Sequence, residues 1–389
     1  MSVTAICTLW GRPLHTLRWM WHMNRIRFPH SILLADGGPE NGLEDVLRDH
    51  SLFPDLSYEY LRFRDRSVDD YFAKVVSAGT HATTPYVMLC DNDDFVLPSG
   101  ISPAIDLLDR DPLVVVAGGR VVCFTLTRRH FPTAMDGVRA TVSGYFQGGT
   151  FETVGEHSAL DRACHQIDRG VYGTYYSLQR REVFIDSWTR LRASGIRNID
   201  IGVGEFLACQ VLTHGKGVQN PAYVIHMRQM GSSSVGATLP TSSERWGDPK
   251  WQADLARMGQ VIGASIAAVD GIDPKQAEQR IIEAMTNKRR PKPTDFVSPT
   301  GLSGLARRLF RVSGGRQMLE HWRIVQENLR RAEVHRYSLD QALSELTQCG
   351  ADSDYLARHR SDVAEMERTL ASTEMAEFVA THAKRITLP

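Results

Sequence analysis

The sequence predicts an α/β fold with a mostly parallel central sheet, followed by an α-helical C-terminal region. Strand-like and helix-like segments alternate over roughly the first 125 residues, which is typical of βαβ units with helices on both faces of a parallel sheet. After the serine run at 232–234 the strand-like segments give way to helical patterns. We therefore expect an α/β domain over residues 1–240 and a helical domain over residues 241–389.

The strands of the first domain are predicted from runs of β-branched and apolar residues that end at Gly, Pro, Asn or Asp. They are expected at 2–9, 31–34, 56–63, 86–89, 114–116, 173–178 and 221–227. Apolar residues at helical spacing predict the helices, at 15–24, 43–50, 69–81, 103–108, 182–193 and 200–214. Between 127 and 172 the pattern weakens, and we expect long loops there.

The helical domain is predicted to contain helices at 250–269, 275–287, 317–335 and 352–382. Asp273 and Pro274 fit an N-cap followed by proline at the first helical position. Residues 291–304 are rich in Pro, Ser and Thr, which favours a linker. The amphipathic patterns indicate helices that dock on the first domain or mediate assembly.

The charge of the whole chain is balanced, with 45 basic and 45 acidic residues. This balance argues against a wholly basic nucleic-acid-binding protein. Residues 287–331 nevertheless carry 11 basic and 3 acidic residues, and leucine and phenylalanine alternate with the basic residues of 288–316. Such a segment can make peripheral contact with an anionic membrane. The alternative is a solvated linker and helix face.

The six cysteines are scattered and form no C-x-x-C pair. Their spacing argues against a zinc site and favours a reducing compartment. The sequence carries neither the pattern of a signal peptide nor an apolar run of transmembrane length. We therefore expect a cytoplasmic protein, with the inner face of the membrane as the alternative location for a peripheral contact.

The sharpest local feature is a cluster of carboxylates directly after the strand at 86–89. Asp91, Asp93 and Asp94 lie within four residues. Like charges this close repel one another unless a cation compensates them, and oxygen ligands suit Mg²⁺ or Mn²⁺. In open parallel sheets, ligands bind outside the carboxyl ends of the strands. The alternative is a solvated acidic turn.

Polar residues also follow the first two strands, so three strand ends offer polar groups on one side of the sheet. Asp36 precedes two glycines, and it can accept a hydrogen bond from a pyrimidine ring or form an Asx-type turn. Arg12 can meet a phosphate or remain a surface charge.

Three elements, in the same order, resemble those of family 2 glycosyltransferases of the GT-A fold. The segment from Thr8 to Pro13 resembles their opening P-x-x-N-R-P element, although Trp10 and Gly11 replace the usual tyrosine and asparagine. The Ala-Asp-Gly-Gly segment around Asp36 resembles their D-[DN]-[GS]-S element. The run 91–94 resembles their metal-binding D-x-D(-D), and the resemblance extends over residues 1–235.

The resemblance implies a nucleotide-sugar donor, with UDP as the expected nucleotide, and Mn²⁺ or Mg²⁺ as the cofactor. Asp36 would contact the nucleobase, Asp91 the ribose or the metal, and Asp93 the metal that bridges the diphosphate. Further donor contacts are implied for Thr8, Trp10, Arg12, Asp70, Lys74, Asn92 and Arg228. For Asp70 and Lys74 the alternative is an ion pair on the helix surface.

Inverting transfer also needs a base for the acceptor hydroxyl. Glu205 takes the place of the family's helical glutamate, but Phe206 stands where an aspartate is usual. The base therefore stays open between Asp200, which we favour slightly, and Glu205. Asp200 could instead be a helix N-cap and Glu205 a solvated acid. His226 resembles a third metal ligand, with a structural histidine as the alternative.

The implied function is metal-dependent, inverting transfer of a sugar to a glycan, lipid-linked or other hydroxyl acceptor. No nucleic-acid partner is expected, and assembly as a homo-oligomer is left open. One alternative is a nucleotidyltransferase-like enzyme on a similar sheet. The other is a catalytically inactive binding or scaffold module.

Overall fold

The structure is a computed structural model, and it describes residues 2–127, 139–148, 153–169, 174–229, 248–289 and 338–387. Within these residues a mixed sheet of nine strands forms the centre of the fold. The strands are β1 Val3–Leu9, β2 Ser31–Asp36, β3 Tyr58–Arg62, β4 Tyr86–Cys90, β5 Phe95–Val96, β6 Val114–Thr127, β7 Thr141–Gly148, β8 Leu178–Arg180 and β9 Lys216–Gln229.

The strand order is β3-β2-β1-β4-β8-β6-β9-β5, and β7 pairs with β6. Strands β1 to β4 are parallel to one another, as are β6 and β9. The short strand β8 runs antiparallel to its neighbours β4 and β6. The predicted fold class, α/β with a mostly parallel central sheet and C-terminal helices, is confirmed.

Helices cover both faces of this sheet. They are α1 Pro13–Arg25, α2 Leu43–Leu47, α3 Val68–His81, α4 Pro98–Arg110, α5 Ala159–Arg169, α6 Arg181–Ser194, α7 Leu207–Thr213, α8 Pro249–Asp270, α9 Pro274–Arg289, α10 Leu339–Gln348, α11 Ser353–Ala371 and α12 Thr373–Ala383. A π-helix, Asp200–Phe206, precedes α7.

Two large hydrophobic clusters lie on opposite faces of the sheet. Alternate residues of β1 show the division, because Ala5 and Cys7 join one cluster and Ile6 joins the other. Helices α1, α2, α4 and α10 to α12 contribute to the first cluster. Helices α3 and α5 to α9 contribute to the second. Helices from beyond residue 240 therefore complete the core on both faces.

The C-terminal helices also make polar contacts with the elements that carry the site. The hydroxyl of Tyr355 on α11 accepts a hydrogen bond from the amide of Val224 on β9, at 2.7 Å. The carboxylate of Asp362 accepts one from the amide of Ser99 in the first turn of α4, at 2.9 Å. The predicted boundary at residue 240 and most of the basic segment 288–316 lie outside the described residues, so the two-domain division and the membrane contact stay predictions.

Some local predictions were wrong. The region 127–172 contains β7 and α5 in its described parts, where long loops were expected. The signal for α5 was present, because Ala159, Ala163 and Ile167 recur every four residues and are buried. The helix expected at 352–382 is interrupted at Ser372, whose hydroxyl accepts a hydrogen bond from the amide of Met375 and so caps α12.

The beginning of the helix expected at 200–214 also differs, because its first seven residues form the π-helix. In the described part of the chain, no helix combines the length and the apolar character that crossing a membrane requires.

Candidate active site

The carboxyl ends of β1, β2 and β4 meet at one edge of the sheet. The parallel register pairs Leu9 with Asp36 and Cys7 with Cys90, so the residues that follow these strands lie side by side. This is the edge at which open parallel sheets bind ligands. The loop after β1, the turn after β2 and the acidic run after β4 form the candidate site.

The acidic run brings three carboxylates together. Oxygen atoms of Asp91, Asp93 and Asp94 lie within 4.8 Å of one another. Burial, followed by the charge of Asp93, raises the pKa of Asp91, and the same two causes raise the pKa of Asp94 well above its usual value. A divalent cation bound there would lower these pKa values again, because it favours the ionised form of each carboxylate.

Two arginines of the α1 region stabilise the acidic run. Arg12 Nη1 lies 2.5 Å from Asp93 Oδ2. Arg18 is buried beneath the run, and its guanidinium donates hydrogen bonds to the carbonyl oxygen of Asp93 at 3.2 Å and to Gln229 Oε1 at 3.1 Å. Burial lowers the pKa of Arg18 to about 10, so it remains a cation at neutral pH. Arg18 lies among the apolar residues of a predicted helix, so no sequence pattern pointed to its role.

Arg12 adopts an uncommon backbone conformation, at the start of α1. Its φ is 56°, in the left-handed region that few residues other than glycine adopt, and it follows Gly11 at φ 70°. Asn92 stabilises this turn, since its amide donates hydrogen bonds to Thr16 Oγ1 at 2.9 Å and to the Arg12 carbonyl at 3.5 Å. Both hydrogen bonds of the Asn92 amide therefore go to the turn that carries Arg12.

His226 lies at the far side of the acidic run, on β9. Its Nε2 is 3.6 Å from Asp94 Oδ2, and only 2% of its surface is exposed. Among the described residues, neither ring nitrogen has a hydrogen-bond partner. Burial lowers the pKa of His226 to about 3, so the imidazole is neutral at physiological pH, as a metal ligand must be.

Asp36 is held by a network of its own at the end of β2. Its Oδ1 accepts a hydrogen bond from the amide of Gly38 at 2.8 Å, which forms the Asx-type turn that was the alternative to a base contact, and its Oδ2 accepts one from Tyr60 at 2.7 Å. Arg62 lies 3.6 Å from the same carboxylate. Each carboxylate oxygen keeps a second lone pair, so the turn does not preclude a contact with a base.

The loop after β1 lies against this turn. A Cβ atom on Gly38 would lie only 3.2 Å from the amide nitrogen of Gly11, so the two segments are in close contact. The neighbouring Trp10 is 62% exposed. A large aromatic surface left in solvent beside a buried carboxylate is suited to stacking against a flat ligand.

Lys74 and Asp70 do not form the ion pair on the helix surface that was the alternative prediction for them. Lys74 is 1% exposed, and its Nζ lies 2.5 Å from Asp65 Oδ2 and 3.2 Å from the carbonyl of Leu9. Asp70 instead accepts hydrogen bonds from the amide of Arg66 and the hydroxyl of Ser67 at the start of α3. Asp65 has no motif around it, so no sequence pattern pointed to this pairing.

Two adjacent tyrosines before β8 contact the acidic run and helix α3. Tyr176 donates a hydrogen bond to Asp91 Oδ2 at 2.8 Å, and the hydroxyls of Tyr175 and Tyr71 are 3.1 Å apart. The Tyr71 hydroxyl also bonds to the side chain of Thr8, the residue expected to contact the donor. The tyrosine pair was missed because it lies in a segment that was predicted to be a strand.

Asp200 and Glu205 lie at opposite ends of the π-helix. Asp200 is half-buried in its first turn, whereas Glu205 is buried. Phe72 of α3 packs close to Gly202 in this element, where a Cβ atom would lie 3.4 Å from the ring. π-helical turns are rare and are frequent at functional sites. The structure therefore leaves both candidate bases in an unusual local backbone, with Asp200 the more accessible.

Asp254 of α8 holds the chain that enters the π-helix. Its Oδ2 accepts hydrogen bonds from the amides of Arg197 at 2.9 Å and Asn198 at 2.8 Å, and its Oδ1 lies 2.7 Å from Arg257. Arg197 also lies 3.3 Å from Asp69 of α3. The C-terminal helices therefore position the backbone just before Asp200.

We expect Asp254→Ala to lower the free energy of unfolding by about 1–3 kcal/mol, because two partly buried hydrogen bonds from backbone amides lose their acceptor. Urea denaturation followed by circular dichroism measures this loss. Asp340→Ala removes an exposed carboxylate that pairs with Arg360, and its expected cost is below about 1 kcal/mol. Equal losses in the two variants would contradict the structural role of Asp254.

Comparison with known proteins gives a family match over part of the chain. Residues 24–186 match the model described as Glycosyl transferase family 2. This segment is similar to the family 2 glycosyltransferases. The matched region includes Asp36 and the acidic run, and it ends before the π-helix and His226. No curated protein matches the sequence.

The chain is also similar to solved structures at low sequence identity. S. aureus TarS 1-349 is 12% identical, with 96% of this chain and 91% of that chain covered and a TM-score of 0.45. Its complex with UDP-GlcNAc gives 12% identity, coverages of 96% and 92%, and a TM-score of 0.46. Mannosyltransferase PcManGT from Pyrobaculum calidifontis, in complex with GDP-Man and Mn²⁺, is 15% identical, with coverages of 92% and 86% and a TM-score of 0.41.

Proposed function

We propose that this family 2 glycosyltransferase is metal-dependent and transfers a sugar, with inversion, from a nucleoside diphosphate donor to a hydroxyl acceptor. The observation that carries the proposal is the acidic run, whose three carboxylates converge within 4.8 Å at the carboxyl edge of the sheet. The matched family supports the reaction class. It also favours sugar transfer over the nucleotidyltransferase alternative.

The side chains available as metal ligands suit Mn²⁺ or Mg²⁺. Asp91, Asp93 and Asp94 offer hard oxygen ligands, and His226 offers a neutral, buried nitrogen beside Asp94. Asp91, Asp93 and His226 are the proposed ligands, and Asp94 is the addition that the geometry favours. A divalent ion bound there supplies Lewis-acid stabilisation of the departing diphosphate.

Cationic side chains of the chain complement the diphosphate. Arg12 reaches Asp93 from the loop after β1, and Arg228 lies on the same strand as His226. A guanidinium binds phosphate oxygens in a bidentate manner, so both arginines are proposed to hold the diphosphate next to the acidic run. Lys74 is too deeply buried for this role, and we assign it to supporting the end of β1 through the Leu9 carbonyl.

The nucleobase is proposed to bind between Trp10 and Asp36. The exposed indole offers a stacking surface, and the Asp36 carboxylate, held by Tyr60 and Gly38, offers an acceptor for a ring N–H. Uracil meets both conditions, which supports a UDP-sugar as the donor. Thr8 and Asp70 remain proposed donor contacts at the ends of β1 and α3.

Asp200 is the proposed base that removes the proton of the acceptor hydroxyl. It is half-buried, whereas Glu205 is buried, and a base must reach the proton that it accepts. The acceptor itself is proposed to be a glycan or a lipid-linked sugar, following the family resemblance.

The direct test measures the binding of uridine diphosphate by thermal shift, with Mn²⁺ and with EDTA. A ligand that binds the native state raises the unfolding midpoint, so UDP should stabilise the protein only when Mn²⁺ is present. Hydrolysis of UDP-sugars under the same conditions separates an active enzyme from an inactive scaffold. Stabilisation by UDP that is unchanged by EDTA contradicts the metal dependence.

Replacing Trp10 provides a sharper test of the base site. We expect Trp10→Ala to weaken UDP binding by about 5- to 150-fold, because stacking on an aromatic side chain contributes roughly 1–3 kcal/mol per base. Trp10→Phe should retain most of the affinity. Leu113→Ala removes another exposed apolar side chain, 59% exposed, and serves as the control that should bind UDP normally. Isothermal titration calorimetry measures all four proteins, and normal binding by Trp10→Ala would refute the stacking role.

A further inference from the structure

Tyr176 contacts two of the proposed metal ligands at once. Its hydroxyl donates to Asp91 Oδ2 at 2.8 Å, and its ring stacks on the imidazole of His226 with the centroids 4.2 Å apart and 16° between the planes. Asp91 follows β4 and His226 lies on β9, and these strands are separated in the sheet by β8 and β6. Tyr176 therefore joins ligands that come from distant parts of the sheet.

The stacking contact with Tyr176 orients the imidazole of His226. A histidine that binds a metal is normally oriented by a hydrogen bond from its second ring nitrogen. Among the described residues, neither nitrogen of His226 makes such a bond. The flat face of Tyr176 limits the rotation of the imidazole instead, and the guanidinium of Arg228 lies 5.7 Å from the centroid of the same tyrosine ring.

The hydrogen bond from the Tyr176 hydroxyl orients the second proposed ligand, Asp91. Asp91 is only partly buried, and the Tyr176 hydroxyl occupies one lone pair of Oδ2. Each carboxylate oxygen has two lone pairs, so the second lone pair of Oδ2 and both lone pairs of Oδ1 remain for other ligands. The tyrosine can thus orient the carboxylate without competing for every coordination position.

We propose that Tyr176 is a positioning residue that holds Asp91 and His226 in the orientations that bind the divalent cation. This inference rests on the proposed function. Loss of the hydroxyl releases Asp91 alone, whereas loss of the ring releases Asp91 and His226 together. Metal affinity should therefore fall in two steps when the side chain is shortened in two steps.

The neighbouring Tyr175 provides a matched control. Its hydroxyl lies 3.1 Å from that of Tyr71 on α3, and its ring contacts Tyr176 edge to face. Tyr175→Phe removes one partly buried hydroxyl from the same segment without removing the bond to Asp91. It reports any general loosening of the segment.

The experiment titrates the whole 389-residue chain with Mn²⁺ and follows the electron paramagnetic resonance signal of the free ion. Tyr176→Phe should bind Mn²⁺ about 10-fold more weakly than wild type, and Tyr176→Leu about 100-fold more weakly, the range seen when residues that orient metal ligands are lost. Tyr175→Phe should bind within about twofold of wild type on the same basis. Unfolding midpoints show whether each variant is folded.

The outcomes separate this inference from the function on which it rests. If Tyr176→Phe binds Mn²⁺ as tightly as wild type, or if Tyr175→Phe weakens binding equally, the positioning role is overturned and the metal site stands. If the wild-type protein binds no Mn²⁺, the proposed metal site fails and the inference fails with it. The Phe variant decides the question even if Tyr176→Leu does not fold.

Discussion

Asp93→Asn should reduce sugar transfer by at least about 10³-fold, because metal coordination contributes several kcal/mol of charge stabilisation and a tenfold change in rate corresponds to about 1.4 kcal/mol. Asp93 lies in the middle of the acidic run, and its charge raises the pKa of Asp91 and of Asp94. The substitution keeps the shape of the side chain and removes one ligand charge. Steady-state rates with a UDP-sugar and saturating Mn²⁺ measure the loss.

The same variant should not be less stable than wild type. Asp93→Asn loses the ion pair with Arg12, but it also relieves the repulsion among three carboxylates. These effects have opposite signs, so the unfolding midpoint should change little. Asp106→Asn is the control for charge removal, since that exposed residue pairs only weakly with Arg110 at 3.6 Å. Full activity in Asp93→Asn would exclude the acidic run as the metal site.

Asp200→Asn should lower kcat by about 10²- to 10⁴-fold, the contribution of a positioned general base, and leave the KM for the donor unchanged. We expect kcat to fall without a change in KM because a general base acts on the acceptor proton and does not hold the nucleotide. Initial rates over a range of donor concentrations separate kcat from KM.

Glu205→Gln is the matched comparison within the same π-helix. It should keep kcat within about tenfold of wild type, a smaller loss than that of a general base. If Glu205→Gln loses kcat and Asp200→Asn does not, the assignment of the base is reversed. If neither variant loses kcat, neither carboxylate is the base. The anomeric configuration of the product, followed by NMR during the wild-type reaction, tests inversion directly.

Much of the site follows from short segments of sequence, because its residues directly follow predicted strands. The strand at 86–90 leads into Asp91, Asp93 and Asp94, and parallel pairing brings the ends of neighbouring strands to one edge of the sheet. The position of Asp36 beside the loop after β1 follows from the same rule. The family resemblance required only these local elements in the correct order.

Arg18 and Tyr176, which local patterns did not identify, have the opposite property, because each contacts a partner that is distant in sequence. Arg18 reaches the carbonyl of Asp93 across 75 residues, and Tyr176 reaches Asp91 across 85 residues. Lys74 pairs with Asp65 rather than with Asp70 four residues earlier, because its side chain points into the core. Helical spacing predicts which residues share a face of the helix, but it does not identify what that face contacts.

The sequence by itself determined the alternation of strands and helices over roughly the first 125 residues, the mostly parallel sheet and the placement of the acidic run at a strand end. These features depend on periodicity and on turn-forming residues, which act over a few positions of the chain. The tertiary structure alone decided which side chains meet at the site: His226 with Asp94 and Tyr176, and Asp254 with the chain that enters the π-helix. The reason is physical, because these distances depend on strand register and on the packing of two hydrophobic clusters, to which residues from the whole chain contribute.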